Sequence, residues 1–74
     1  MVEKERIDKW TTRSTYRIGN KEYREYDTQH EDGHHSFEIY TDEGRKGWAI
    51  QELWESPRDA RERAWDRAMG RRKD

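Results

Sequence analysis

The stretch "SPRDARERAWDRAMG" (residues 56–70) constrains the fold more than any other part of the chain. Ser56 supplies an N-cap hydroxyl, Pro57 suits the first helical position, and Asp59 stands three residues on, close to a capping box. Ala60, Ala64 and Ala68 recur every four residues with Trp65 and Met69 beside them, and Gly70 is a natural C-terminal cap. The pattern predicts a helix over Pro57–Met69. Its alanine face lets the helix lie close to whatever it covers, with Trp65 as the anchor. Asp59 with Arg63 and Arg58 with Glu62 are spaced to pair on the solvent side.

What the helix covers reads as a sheet. "RSTYRIG", "KEYREYDTQ", "HSFEIYT" and "GWAIQELWE" carry β-branched and aromatic residues separated by the turn signals "GNK", "HEDGHH" and "DEGRKG". Tyr16 and Ile18 share a face, as do Phe37, Ile39 and Thr41, with Glu38 and Tyr40 opposite. Trp48, Ile50 and Trp54 are expected on one face of the last strand unless a bulge intervenes. All connections are short, so the expectation is an α+β domain. It consists of an antiparallel meander of three to four strands packed on one C-terminal helix, ββββα, over residues 11–70. Residues 1–10 form an ambiguous N-terminal arm, and residues 71–74 a basic tail.

Composition says how such a domain can be held together. Of 74 residues, 28% are hydrophobic and 45% charged, yet the chain has four Trp, four Tyr and one Phe. Large aromatic side chains replace aliphatic ones, and a small core built on Trp48, Trp54 and Trp65 is expected. Tyr40, Tyr23 or Tyr26, and Trp10 are left for the outer sheet face. A core this small leaves room for a homodimer contact that covers an edge strand. The absence of cysteine excludes disulfides and thiolate–zinc sites. No apolar run approaches a membrane span and no signal-peptide pattern opens the chain, so a soluble, cytoplasmic protein without a membrane partner is expected.

"HEDGHH" (30–35) gathers all three histidines. Asp32-Gly33 is a hairpin-turn signal, which accounts for the segment as a connection. His30, His34 and His35 are also metal-ligand types, and a metal-dependent enzyme at this turn is one reading. Its spacing matches no zinc pattern, and no nucleophile–base ordering or phosphate loop occurs elsewhere. The chain is therefore expected to be non-catalytic and to need no cofactor.

Charge points to binding. Residues 1–55 hold 13 acids and 9 Lys/Arg, and residues 56–74 hold 4 acids and 7 Lys/Arg. An acidic body with a basic end, plus surplus aromatics, predicts a protein-binding module. Its contact residues would be Asp27, Glu31, Asp32, Glu38, Tyr40, Asp42, Glu43 and Glu52. In its narrowest form this is a phage or mobile-element inhibitor, of the anti-CRISPR kind, whose acidic sheet occupies the channel of a nucleic-acid-binding complex.

The alternative is a DNA-binding or accessory domain. "FEIY", "GWAIQELWES" and "ARERAWDRA" resemble the sheet-plus-helix DNA-binding domains of the AP2 and integrase N-terminal type, over about half of the chain. Trp54, Ser56, Ala60, Trp65, Asp66 and Ala68 fill roles similar to those in such domains, where an aromatic residue ends a strand before a capped, alanine-rich helix. The resemblance implies a sheet face that enters DNA. Here the last two strands are expected to expose Glu38, Tyr40, Ala49 and Gln51. Phosphate or base contacts would therefore come from Arg13, Arg17 and Arg24 of the first two strands and from Arg61, Arg67, Arg71 and Arg72 of the helix and tail.

Overall fold

The structure, a computed structural model, describes residues 2–71. Five strands precede one helix: β1 (Val2–Arg6), β2 (Thr11–Ile18), β3 (Lys21–Gln29), β4 (His35–Thr41), β5 (Gly44–Ile50) and α1 (Pro57–Met69). The strands form one antiparallel sheet in chain order. The meander and the C-terminal helix are as expected, with one strand more. That strand is the N-terminal segment "VEKER", whose five residues are all exposed. As an edge strand covered on neither face, it carries no apolar alternation to betray it.

The helix ends are set locally. The Ser56 hydroxyl accepts the Asp59 backbone N–H at 3.2 Å, Pro57 occupies the first turn, and Gly70 closes the helix in the left-handed region. The expected i,i+4 pairs give way to other partners. Arg63 reaches back to Glu55, and Arg58 lies 3.8 Å from Asp59.

Register sorts every strand residue onto one of two faces. Two rows cross the helix side: Lys4–Ser14–Glu25–Ile39–Gly47 and Arg6–Thr12–Asp27–Phe37–Ala49. The core is Tyr23, Phe37, Ile39, Ala49, Ala60, Ala64 and Trp65, with Tyr16, Ala68 and Met69 packed against it. Trp65 is its largest side chain. Its ring meets Tyr16 edge-on at 5.3 Å and Tyr23 at 5.7 Å.

The last strand departs from expectation. Gly47 and Ala49 face the helix, while Trp48 (42% exposed) and Ile50 (60%) face away, and Trp54 (82%) lies beyond the strand. The helix's own alanine face explains this. A methyl group added at Gly47 would stand 2.8 Å from both the backbone N and the Cβ of Ala68, and closer still to the carbonyl of Ala64. Only small residues, Gly47 and Ala49, fit beneath so close a helix, which turns the tryptophan outward. Register also slips by one residue between the Ile39–Gly47 and Tyr40–Arg45 pairs, so Lys46 is the extra residue of a bulge.

Candidate functional site

The helix packs on one face of the sheet and leaves the other uncovered. Two rows run across all five strands: Glu5–Arg13–Tyr26–Glu38–Trp48 and Glu3–Thr15–Arg24–Tyr40–Arg45. Thr11, Thr28, Ser36 and Ile50 make a third row towards one end. Tyr26 and Tyr40 meet edge to face with centroids 5.5 Å apart. Together with Thr11, Arg24, Thr28 and Glu38 they line a shallow, open depression. Tyr23, left open in the sequence between the two faces, belongs to the core.

The charges on this face are paired, across strands or along them. Arg13 bridges to Glu5, and Arg24 lies 3.3 Å from Glu22 and 3.8 Å from Asp42. Arg17 reaches Glu22 at 3.9 Å, and Arg45 bonds Glu38 at 2.9 Å. At its margin the Trp48 ring lies 4.6 Å from the Arg45 guanidinium and 4.4 Å from that of Arg67 on the helix. These contacts tie the outer face to the helix around the edge of β5.

The acidic residues singled out from sequence do not share one surface. Glu38 and Tyr40 lie on the outer face. Asp27 lies on the helix side, hydrogen-bonded to His35 at 2.7 Å. Glu31 and Asp32 occupy the β3–β4 turn, and Asp32, Gln51, Glu52 and Leu53 border one depression at that end. Asp42 and Glu43 sit at the opposite end, beside Arg17, Lys21 and Glu22. The basic candidates are dispersed too. Arg61 is held by Glu25 and the Tyr16 hydroxyl, and Arg71 lies 3.3 Å from Asp66. Arg72 lies outside the described residues.

"HEDGHH" is a turn. His30 N–H donates to the His34 carbonyl at 2.8 Å, and Gly33 takes φ 94° at the reversal. The His30 and His34 rings stack at 4.4 Å. The two rings are engaged separately, His30 through Nε2 with Ser36 Oγ at 3.0 Å and His34 through Nδ1 with Asp32. The backbone N–H of His34 holds the Asp32 carboxyl below its ordinary range. His35 points to the other face, stacked on Phe37. Among the described residues no three His, Asp or Glu side chains converge to hold a metal ion.

Sequence reasoning missed the turn after β5. Leu53 is fully exposed and Trp54 nearly so, although this is the chain's one leucine. The turn is nonetheless well tied. Gln51 exchanges bonds with the backbone of His35, its N–H to the carbonyl and its Oε1 from the N–H, both at 2.9 Å. Its side-chain amide donates to the Glu55 carbonyl at 2.7 Å. The Glu55 carboxylate accepts from the Glu52 N–H at 3.0 Å and from Arg63 Nε and one terminal guanidinium nitrogen at 2.6 and 2.8 Å, while Arg63 also donates to the Ile50 carbonyl. Nothing in "QELWES" read alone distinguishes this turn from a strand end. The partner that identifies it, Arg63, lies eight residues further on.

The Arg63 guanidinium holds the Glu55 carboxyl below its ordinary range. A carboxyl so lowered stabilises the fold fully above its unfolded value, and the gain is lost as pH falls through the lower, folded value. The expected result is that this turn loosens in acid as Glu55 takes up its proton. Followed by the chemical shifts of the Leu53 and Trp54 amides, the transition should lie below the ordinary carboxylate range in the wild type. In Arg63→Gln it should move up toward the ordinary carboxylate range.

The fold defines a small α+β domain, a five-stranded antiparallel meander backed by one helix. Among the described residues no helix is long and apolar enough to cross a membrane. No family model, curated protein or solved structure matches the chain.

Proposed function

We propose that the chain is a non-catalytic protein-binding module whose contact surface is the outer sheet face. One observation carries this: half-buried Tyr26 and Tyr40 and the more exposed Trp48 lie together on the sheet face that the helix leaves open, framed by arginines and threonines. Aromatic residues and arginine are the residues that dominate binding energy in protein contacts. Tyrosines locked in an edge-to-face pair lose little conformational freedom on binding. The partner is a protein, and an intracellular setting belongs to the same proposal. The narrower reading, an inhibitor that competes with nucleic acid, needs one continuous acidic surface. Here the acids lie at both ends of the sheet and on both faces, so the geometry favours the broader reading.

Arg13, Arg24 and Arg45 on the same face favour DNA as the second reading. Against it, each is already paired with a glutamate, and phosphate would have to displace that partner. The test is titration of the purified protein with random duplex DNA at low and moderate salt, followed by its tryptophan fluorescence. The expected result is no binding at low salt. Saturable binding that weakens steeply with salt would show phosphate contacts and put the DNA reading first.

A further inference from the structure

We propose that the open edge of β1 takes up an extended strand of a partner protein whose side chains alternate acid and base. The phase of the hydrogen bonds says which groups that edge offers. Ile7 N–H donates to the Thr11 carbonyl at 2.9 Å, so the bonded pairs of the β1–β2 ladder are Ile7–Thr11, Glu5–Arg13 and Glu3–Thr15. The next ladder agrees. The bond from Gln29 N–H to the Trp10 carbonyl turns Thr12, Ser14 and Tyr16 towards β3 and leaves Arg13 and Thr15 for β1. Val2, Lys4 and Arg6 therefore present their backbone N–H and C=O groups outward. Among the described residues none of these groups has a hydrogen-bond partner. The ladder behind them is regular, and no element but β2 packs against the strand.

The opposite edge of the sheet is closed. The bond from Gln51 N–H to the His35 carbonyl sets the phase there, and the backbone of Trp48 and Ile50 faces outward. Arg63 donates to the Ile50 carbonyl at 2.8 Å, the Arg67 guanidinium lies over the Trp48 ring, and the bulge at Lys46 breaks the row. Strand addition needs an unbroken row of main-chain groups, and of the two edges β1 has it.

Charge selects the occupant. Lys4 and Arg6 project on the helix side of the sheet, Glu3 and Glu5 on the outer side. Glu5 is bridged to Arg13, whereas Glu3, Lys4 and Arg6 have no ion-pair partner among the described residues. This pattern rejects a second copy. A two-fold axis sets two β1 edges antiparallel, and only the even-numbered residues have groups to exchange. Even then meets even and odd meets odd. With Lys4 opposite Lys4, Glu3 meets Glu5 twice, and a shift of two residues brings Glu3 onto Glu3 or Glu5 onto Glu5. Like charges directly opposed repel, so the homodimer contact that a small core invites is disfavoured at this edge. A foreign strand carries no such constraint. Acids facing Lys4 and Arg6 and a base facing Glu3 satisfy all three unpaired charges in one antiparallel register. Strand β2 stands between this edge and Tyr26, so the proposal does not rest on the outer-face reading above.

The test is NMR titration of the full chain with the peptide Thr-Glu-Lys-Glu-Lys-Val-Thr, up to about 5 mM, and with the neutral peptide Thr-Ser-Thr-Ser-Thr-Val-Thr. In the free chain the Lys4 and Arg6 amides should exchange with solvent faster than those of Glu3 and Glu5. The alternating peptide should slow exchange at Lys4 and Arg6 and bind roughly tenfold tighter than the neutral one, the combined effect of three charge pairs. Lys4→Glu/Arg6→Glu should erase that preference with an unchanged circular dichroism spectrum, because both side chains are exposed. No response at β1, an equal response to both peptides, or a preference that survives Lys4→Glu/Arg6→Glu would overturn the proposal. So would a wild type that dimerises in sedimentation velocity with its Lys4 amide protected, because the occupant would then be a second copy. Shifts confined to Tyr26 and Tyr40 would also overturn it, and would leave the outer-face reading standing.

Discussion

Replacing Gly47 by alanine is expected to cost about 3 kcal/mol or more of folding stability, the upper range for overpacking a core. The added methyl would meet backbone atoms of Ala64 and Ala68, not the flexible end of a side chain. Neither backbone can move alone, because Ala60, Ala64 and Ala68 all lie on the face pressed to the sheet. The whole helix must lift, and Trp65 lifts with it. For a domain of this size total stability is on the order of 4–11 kcal/mol, so the loss is a large share of it. Urea denaturation measures it directly. Gly19→Ala is the control: it meets no neighbour within 4 Å and should cost only about 1–2 kcal/mol for its left-handed backbone. A Gly47→Ala variant as stable as this control would mean that the helix does not lie where it is described.

Removing the Glu25 carboxylate should be nearly as damaging. Glu25 is 3% exposed in the middle of β3, yet its oxygens are fully occupied. Arg61 Nε donates to it at 2.5 Å, Trp65 Nε1 at 3.1 Å and the Tyr16 hydroxyl at 3.2 Å, while Arg61 also donates to the Tyr16 oxygen at 2.8 Å. This network fixes the far side of the helix to β2 and β3, where the alanine face does not reach. Breaking a buried pair leaves its partners unsatisfied, at about 3–5 kcal/mol in a dry interior. The Arg61 side chain is 42% exposed and can recover water, so the lower end, about 3 kcal/mol, is expected for Glu25→Ala. A double-mutant cycle with Arg61→Ala should show strong coupling between the two residues. A loss below about 1 kcal/mol for Glu25→Ala would contradict the network.

These two residues also mark where the sequence stops being readable. The helix was legible to the residue because Ser56, Pro57 and Gly70 are local signals. Strands β2 to β4 were legible because Gly19-Asn20 and Asp32-Gly33 punctuate alternating runs. Glu25 looks no different from Glu22 in sequence. Only Arg61 and Trp65, some forty residues later, make its burial tolerable. The outward turn of Trp48 was misread because tryptophan's size suggested core. The corrective signal was present, since an alanine-faced helix asks for small residues beneath it, and Gly47 and Ala49 are spaced to supply them. Strand β1 gave no signal at all, because a strand open on both faces needs no pattern. Of the candidate site, Tyr40 and Glu38 were placed correctly by alternation along β4. Their assembly with Tyr26, Arg13 and Arg24 depends on register, which single strands do not state.

The central claim is that the Tyr26–Tyr40 face binds a protein. The most direct measurement is affinity capture from extracts of the cells that produce the chain, with wild type and Tyr26→Ala/Tyr40→Ala compared side by side. Both side chains lie outside the core, so the variant should fold, and its thermal transition checks that. The account predicts a defined protein recovered by the wild type and lost with the variant. Its affinity for the variant should be weaker by roughly 30-fold or more, as for the loss of a single binding hot spot. Recovery of the same proteins in the same amounts by both would contradict the account.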